Sequence, residues 1–305
     1  MSKYKRVLVT GGSGFIGKAI EKICPDWIFM SSSDCDITKQ DQLQEYLQKV
    51  KPDAIIHLAA RVGGIKDSHL NQAEFLYLNN LINTNLIHQA YVAGVHRVLS
   101  CLSTCCFPDS SDHYPMVESD LLKGEPQESN YGYAFAKRML YLQSKYYSEC
   151  YDVKYNTFSP SNIYGENNNS DDVKSHFIAS LIKKFATASD DEEIVFWGTG
   201  KPLRQHLYVH DLAEIIIMLL DKHNGDLPLI VAPNENLSIL KHIDLMKDIS
   251  NKKVKIKFNG KLDGQFRKDG SNKELIKLVG EYNFTKLRDG LTNTYEWYLK
   301  NHKNT

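Results

Sequence analysis

Tyr133 and Lys137 stand four residues apart in Tyr133-Ala-Phe-Ala-Lys137, a step that on a helix brings a phenol and an ammonium to one face. A desolvated cation beside a phenol lowers its pKa toward working pH, which makes Tyr133 a usable proton donor or acceptor. Such a pair can be a chance surface contact. Ser103 argues against chance, because it follows the apolar run Arg97 to Cys101 by two residues, where the carboxyl end of a strand delivers side chains to a ligand. Upstream, Arg6 to Thr10 leads into Gly11, Gly12, Ser13, Gly14, Phe15, Ile16 and Gly17. After a strand and before a helix, Gly11, Gly14 and Gly17 permit a tight turn, close approach of backbone to a pyrophosphate, and close packing of helix on strand. A glycine-rich turn without a ligand is the ordinary alternative, and the position at the end of the first strand favours dinucleotide binding over it.

These groups need a frame. Arg6 to Thr10, Trp27 to Ser31, Ala54 to Leu58, Arg97 to Cys101 and Lys154 to Phe158 read as strands. Between them Leu43, Tyr46, Leu47 and Val50, then Phe75, Leu78, Ile82 and Leu86, recur at helical spacing. Alternation of this kind predicts an α/β fold, a Rossmann-like doubly wound parallel sheet with a smaller, mostly C-terminal α/β lobe. After Gly165 a polar Asn/Asp/Ser stretch ending near Lys174 marks the first boundary. The dinucleotide domain is expected over 1–165, with a segment returning at about 204–232 that supplies a last strand at His206 to Tyr208, a helix at Leu212 to Asp221 and Leu229 to Ala232. The substrate lobe then takes 166–203 and 233–305. It closes with a helix carrying Leu287, Leu291, Tyr295 and Tyr298 on one face, with Thr285 as its N-cap.

Composition narrows the partners. The 305 residues hold 37 Lys plus Arg against 37 Asp plus Glu, so no field of one sign gathers nucleic acid or a membrane surface. Leu212 to Leu220 is interrupted by Glu214 and is too short to span a bilayer. The apolar run Val7 to Val9 is far shorter than the apolar region of a signal peptide, so none is expected. Cys24, Cys35, Cys101, Cys105, Cys106 and Cys150 lack paired zinc-ligand spacing and disulfide density. No metal is expected, and free thiols suit a cytoplasmic protein.

Ser103, Tyr133 and Lys137, in that order after a Gly-x-x-Gly-x-x-Gly turn, resemble the catalytic triad of the extended short-chain dehydrogenase/reductases. The resemblance narrows to the GDP-L-fucose synthases, 3,5-epimerase/4-reductases of GDP-4-keto-6-deoxy-D-mannose, over nearly the whole chain. It is carried by Ala59-Ala-Arg-Val-Gly-Gly-Ile65, Ser100-Cys-Leu-Ser-Thr-Cys-Cys-Phe-Pro108, Tyr133-Ala-Phe-Ala-Lys137, Pro160-Ser-Asn-Ile-Tyr-Gly165, Trp197-Gly-Thr-Gly-Lys-Pro-Leu-Arg204 and Asp263-Gly-Gln-Phe-Arg-Lys268. It implies that Cys105 and His176 exchange protons at carbons 3 and 5, without saying which is acid and which is base. Taken alone, Cys105 reads as a small buried hydrophobe and His176 as a surface histidine; their place inside matched motifs overrides both readings. Cys101 and Cys106 keep the structural reading. A dehydratase of this superfamily would carry an acidic pair where Thr104 and Cys105 stand.

The same resemblance implies substrate contacts at Asn162, Lys184, Trp197, Arg204, Asp263 and Lys268: cations for a diphosphate, an aromatic surface, and a carboxylate for ribose hydroxyls. It assigns to the cofactor the Gly11–Gly17 turn, Ser31, Ser32, Ser33, Asp36, Ala59, Ala60, Leu102, Lys137, Pro160, Asn162, Ile163 and His176. The expected cofactor is NADP (NADPH), with NAD use open, because Ser31-Ser-Ser-Asp34 holds no basic residue and no acid sits at the strand end itself. A homodimer through Phe75 to Val92 and Tyr131 to Ser148 is implied as well. The alternatives are another nucleotide-sugar 4-reductase or epimerase, and a catalytically silent NAD(P)-binding protein. Against silence stands the presence together of Ser103, Cys105, Tyr133, Lys137 and His176.

Overall fold

The computed structural model describes residues 2–168, 176–260, 263 and 265–302. Its strands are β1 (Val7–Thr10), β2 (Ile28–Met30), β3 (Ala54–His57), β4 (Arg97–Cys101), β5 (Lys154–Pro160), β6 (Asn162–Tyr164), β7 (Glu193–Phe196), β8 (Leu203–Tyr208), β9 (Leu229–Val231), β10 (Asn236–Ser238) and β11 (Lys255–Phe258). Its helices are α1 (Phe15–Ile23), α2 (Gln40–Val50), α3 (Ile65–Leu70), α4 (Gln72–Val92), α5 (Tyr131–Cys150), α6 (Phe177–Thr187), α7 (Val209–Lys222), α8 (Ile239–Ser250), α9 (Lys273–Val279) and α10 (Leu287–Asn301).

Side chains alternate across a strand, and here both faces are apolar. Leu8, Ile55 and Val98 join Leu43, Leu47, Leu86, Ile87 and Leu140 of α2, α4 and α5 in one core layer. Val7, Val9, Ile56 and Leu99 join Ile20 of α1 and Leu212, Ile215, Ile216 and Leu219 of α7 in the other. Six strands thereby pair in parallel in the order β2-β1-β3-β4-β5-β9, covered by helices on both sides. The chain reverses direction across this sheet between β1 and β3. A crevice at such a switch point, at the carboxyl ends of the strands, is where a ligand fits this architecture. A third core joins Leu181 and Phe185 of α6, Ile243 and Met246 of α8 and Leu291 and Tyr295 of α10 with Phe196, Tyr164 and Tyr208.

Three expectations are corrected. The strand at His206 to Tyr208 is not in the large sheet: β8 lies between β10 and β6 in a separate three-stranded sheet, and only α7 and β9 return to the first domain. Leu275 of α9, inside the range expected for the second lobe, is buried in the layer formed with α1 and α7. Thr285 does not cap the last helix. Lys286 occupies that position, and Thr285 instead donates its N–H and Oγ1–H to the Asp211 carboxylate at 2.8 Å each, tying α10 to α7. The polar stretch expected as the first boundary falls partly on residues 169–175, outside the described residues.

Candidate active site

The glycine turn closes against β3. Gly11 has φ +69°, a conformation that costs glycine little, and a Cβ there would sit 2.9 Å from the Ala59 nitrogen. A Cβ on Gly17 would run into the carbonyl oxygen of Gly12. Gly14 is the N-cap of α1 and supplies no side-chain cap, so the first amides of that helix keep their donors for an anion. This narrow backbone cradle fits a dinucleotide pyrophosphate. At the end of β2, Asp34 folds back to accept from Ser31 N–H at 2.8 Å and Ser31 Oγ at 2.6 Å, and Ser31 and Ser33 hydroxyls are 2.7 Å apart. An acid therefore does reach the strand end through its side chain, which was not expected from the linear sequence. Asp36 accepts from Thr38 N–H and Oγ1 at 3.0 and 2.7 Å, contacts that lower its pKa. Ala60 lies three residues past the end of β3, Pro160 ends β5, and Ile163 is the middle residue of β6 in the separate small sheet, while Leu102 N–H bonds to Phe158 O at 2.7 Å.

Ser103 caps the short turn Thr104–Cys106, its Oγ accepting from Cys105 N–H at 3.1 Å. It stands near the Tyr133 phenol, where it works against the upward shift of the phenol's pKa. Lys137 is buried one turn along α5, its ammonium 5.8 Å from the Tyr133 ring centroid and donating to Cys101 O at 2.7 Å. The effect on the phenol is the reverse of that expected. Burial, then the neighbouring sulfurs of Cys101, Cys105 and Cys106, push the Tyr133 pKa well above its ordinary value, outweighing Ser103. The Lys137 ammonium is engaged by a carbonyl, so Tyr133 is held as a protonated donor.

Cys105 sits beside this pair. Burial pushes its thiol up, but the charge and the hydrogen bond of Lys268, the Ser103 bond and the charge of Arg204 outweigh burial and lower its pKa. The Lys268 ammonium is 2.9 Å from Cys105 Sγ. Cys101 and Cys106 differ: burial drives them up to about 11 and about 12, so both remain inert thiols. His176 stands at the N-cap of α6, and its pKa is lowered by desolvation and then by the charge of Lys268. Lys268 thus lies within electrostatic reach of both proton-transfer candidates.

The remaining residues form the rim. Arg204 feels the charges of Cys105 and Asp263, and its guanidinium donates to Leu203 O at 2.7 Å. Asp263 accepts from Thr199 N–H and Oγ1 at 2.6 Å each, beside the turn after Trp197. Trp197 itself is 79% exposed, a free aromatic face. Lys184 lies over the Phe196 ring at 5.8 Å and does not join the catalytic cluster. Asn162 Nδ2 donates to Gln205 O at 3.0 Å, which fixes it in the small sheet.

Braces behind these groups escaped sequence reading. Gln205 Nε2 donates to Pro233 O and Gly270 O at 2.8 and 3.1 Å, and Gln205 Oε1 accepts from Gly270 N–H at 2.9 Å, holding the segment two residues from Lys268. On the opposite face of β8, His206 Nδ1 meets His242 Nε2 at 2.8 Å, and Phe177, next to His176, packs on both rings. Asn83, buried on α4, lies 3.2 Å from His57 Nε2 and donates to Ala136 O beside Lys137. Polar residues on helix faces and a strand of mixed character carry no sequence signal for such roles.

The sequence pattern of the NAD dependent epimerase/dehydratase family matches residues 7–231. GDP-L-fucose synthase of Dictyostelium discoideum is 37% identical over 98% of this chain and 97% of its own length. The chain belongs to the GDP-L-fucose synthase family. A probable GDP-L-fucose synthase of Drosophila melanogaster is 35% identical over 98% of each chain. Among solved structures, a GDP-L-fucose synthetase from Naegleria fowleri bound to NADP superposes with a TM-score of 0.91 at 32% identity, covering 100% of this chain and 96% of that one. Among the described residues, no helix is long and apolar enough to cross a membrane.

Proposed function

We propose that the protein converts GDP-4-keto-6-deoxy-D-mannose to GDP-L-fucose, epimerising carbons 3 and 5 and then reducing carbon 4 with NADP(H). The observation that carries this reading is the thiol of Cys105 with a cation on its sulfur, next to a neutral phenol at the end of β4. A reductase needs only the phenol. A proton-transfer sulfur is useful where a carbon acid beside a ketone must be deprotonated.

The residues divide the work. Cys105, as thiolate, removes the proton from carbon 3 and later from carbon 5, leaving an enolate and a thiol. Ser103 and Tyr133 donate hydrogen bonds to the enolate oxygen at carbon 4. His176, as imidazolium, gives a proton to the opposite face of each carbon, which inverts it; between the two inversions the Cys105 thiol gives its proton up to solvent and the neutral imidazole takes one from it. The Gly11–Gly17 turn, Ser31 to Ser33 and Asp36 would hold the dinucleotide, and Lys137 its nicotinamide ribose. NADPH, when bound, supplies the hydride for carbon 4. Tyr133 gives its proton to the oxygen there, and its raised pKa keeps that proton available. Arg204, with Lys184, faces the diphosphate; Trp197 offers its open face to the base, and Asp263 can accept from ribose hydroxyls.

The domain division proposed is a dinucleotide unit over 1–165 joined by α7, β9 and α9, with the rest forming the substrate lobe. A homodimer is proposed through α4 and α5, whose outer faces leave Leu76, Tyr77, Val92, Phe135, Met139 and Tyr146 exposed. The cytoplasm suits a reaction that needs Cys105 reduced. The deciding experiment is incubation with NADPH and GDP-4-keto-6-deoxy-D-mannose, following NADPH absorbance and identifying the sugar formed. Oxidation with GDP-L-fucose as product supports the reading. No oxidation, or a product with unchanged carbons 3 and 5, overturns it in favour of a silent binder or a plain 4-reductase.

A further inference from the structure

Lys268 is a buried lysine, 8% exposed, and an ammonium withdrawn from water needs an anionic or strongly accepting partner. The carboxylates near it in sequence are committed elsewhere. Asp269 accepts from Arg267 Nε and Nη2 at 2.6 and 2.9 Å, and Asp263 accepts from Thr199. Among the described residues, the hydrogen-bond partner of Lys268 is Cys105 Sγ at 2.9 Å, 163 positions away in the chain. The segment is held from behind, because Gly270 is clamped by Gln205 at both its N–H and its carbonyl. Such bracing fixes where the ammonium stands.

We propose that Lys268 acts on Cys105 and not on the substrate's diphosphate: it is the positioning residue that makes this sulfur the base for proton removal from carbon. With a neutral thiol at that place the ammonium would be buried without a counter-charge; with a thiolate the two form a compensated pair. Around the sulfur stand Arg204, which adds a second positive charge, the Ser103 hydroxyl as donor, and the neutral Tyr133 phenol and Cys106 thiol. The His176 pKa is lowered first by desolvation and then by the same cation, which makes its imidazolium a readier proton donor. The inference rests on the epimerase reading for its catalytic consequence, while its test needs no substrate.

The test is the pH dependence of iodoacetamide alkylation of Cys105, read on its peptide by mass spectrometry from about pH 5 to about pH 10, across the ordinary thiol range. Wild type, Lys268→Gln, the near-isosteric Lys268→Met and Lys268→Arg are compared, with circular dichroism reporting the fold. In wild type the midpoint should lie below the free-thiol value of about 8.5. Lys268→Gln and Lys268→Met should each raise it by at least about one unit, slowing alkylation at neutral pH about tenfold, and Lys268→Arg should restore most of the loss. A wild-type midpoint in the ordinary range overturns the proposal without reference to any variant. So does an unmoved midpoint in Lys268→Gln or Lys268→Met, and a raised KM for the sugar nucleotide beside that unmoved midpoint would return Lys268 to the diphosphate. Failure of the GDP-L-fucose assay with the alkylation shift intact would overturn the substrate and leave the Lys268–Cys105 pair standing.

Discussion

Replacing Tyr133 by Phe removes one oxygen from the site and little else. The ring keeps its edge contact with Phe75, centroids 6.5 Å apart, and its place 5.8 Å from the Lys137 ammonium. What is lost is the O–H that donates to the oxygen of carbon 4 as charge develops there. A hydrogen bond to a charged group contributes about 1.5–3 kcal/mol, and positioned general acid catalysis about 10²–10⁴ in rate. Both describe the same proton, so they are not summed; the larger range sets the expectation. Reduction in a single turnover should fall by about 10²–10⁴, equivalent to roughly 3–5 kcal/mol, while NADPH affinity stays within about threefold, because a phenol hydroxyl alone is a modest binding contact. Deuterium from solvent should still enter carbons 3 and 5, more slowly than in wild type, since Cys105 and His176 are untouched while Ser103 alone is left to hold the enolate oxygen. The pH dependence carries a sign. A proton donor fails as pH rises through its pKa, and burial moves that of Tyr133 well above 10.0, so the phenol should impose no loss of wild-type reduction below that value. A Phe variant reducing within tenfold of wild type would give the role to water or another group. A wild-type alkaline loss near neutrality that vanishes in Tyr133→Phe would show that Lys137 depresses the phenol after all.

Cys105→Ser keeps the shape but substitutes a hydroxyl far too weakly acidic to be a base, so deuterium exchange at carbons 3 and 5 should drop about 10²–10⁴ while slow reduction of the unepimerised sugar continues; exchange near the wild-type rate would reduce Cys105 to a packed thiol. His176→Asn should slow the same exchange through loss of the returning proton, and unchanged exchange would assign that proton to another residue or to water. Arg204→Ala should raise the substrate KM far more than the cofactor KM, through loss of a charge-assisted contact of about 1.5–3 kcal/mol, and equal damage to both would make the residue structural. Acid should destabilise the fold: burial depresses His57 to about 3 and His223 and His242 to about 4, from 6.5. The unfolded chain therefore binds protons first, and stability present above pH 6.5 is lost as pH falls, by about 1.4 kcal/mol per unit for each imidazole. A thermal midpoint unchanged between about pH 7 and about pH 5 would contradict that accounting.

Much of the first domain was legible because its determinants are local. A strand buried on both faces reads as an apolar run, a pyrophosphate turn needs glycines at short spacing, and Tyr133 and Lys137 share a helix face through a four-residue step. Periodicity was less reliable where function put polar groups inside. The inner stripe of α4 includes Asn79 and Asn83, which a hydrophobic pattern assigns to solvent, because their amides serve Arg61 N–H, His57 and Ala136 O across the core. Thr285 has the chemistry of a cap, yet Asp211 offered it a stronger acceptor.

The residue types of the site were set by the sequence alone: a serine, a tyrosine and a lysine after a glycine turn, with a cysteine two positions beyond the serine. Their electrostatic states were not, because charge and burial depend on neighbours far apart in the chain. Tertiary structure put the Lys268 ammonium on Cys105 from 163 residues away, occupied Lys137 with the Cys101 carbonyl, and raised the Tyr133 pKa where a local rule lowered it. It also decided that β8 leaves the large sheet, since an alternating strand specifies two faces but not which partner strands it will meet. Spacing along a helix fixes which groups can meet; only the folded packing fixes which of them hold a proton.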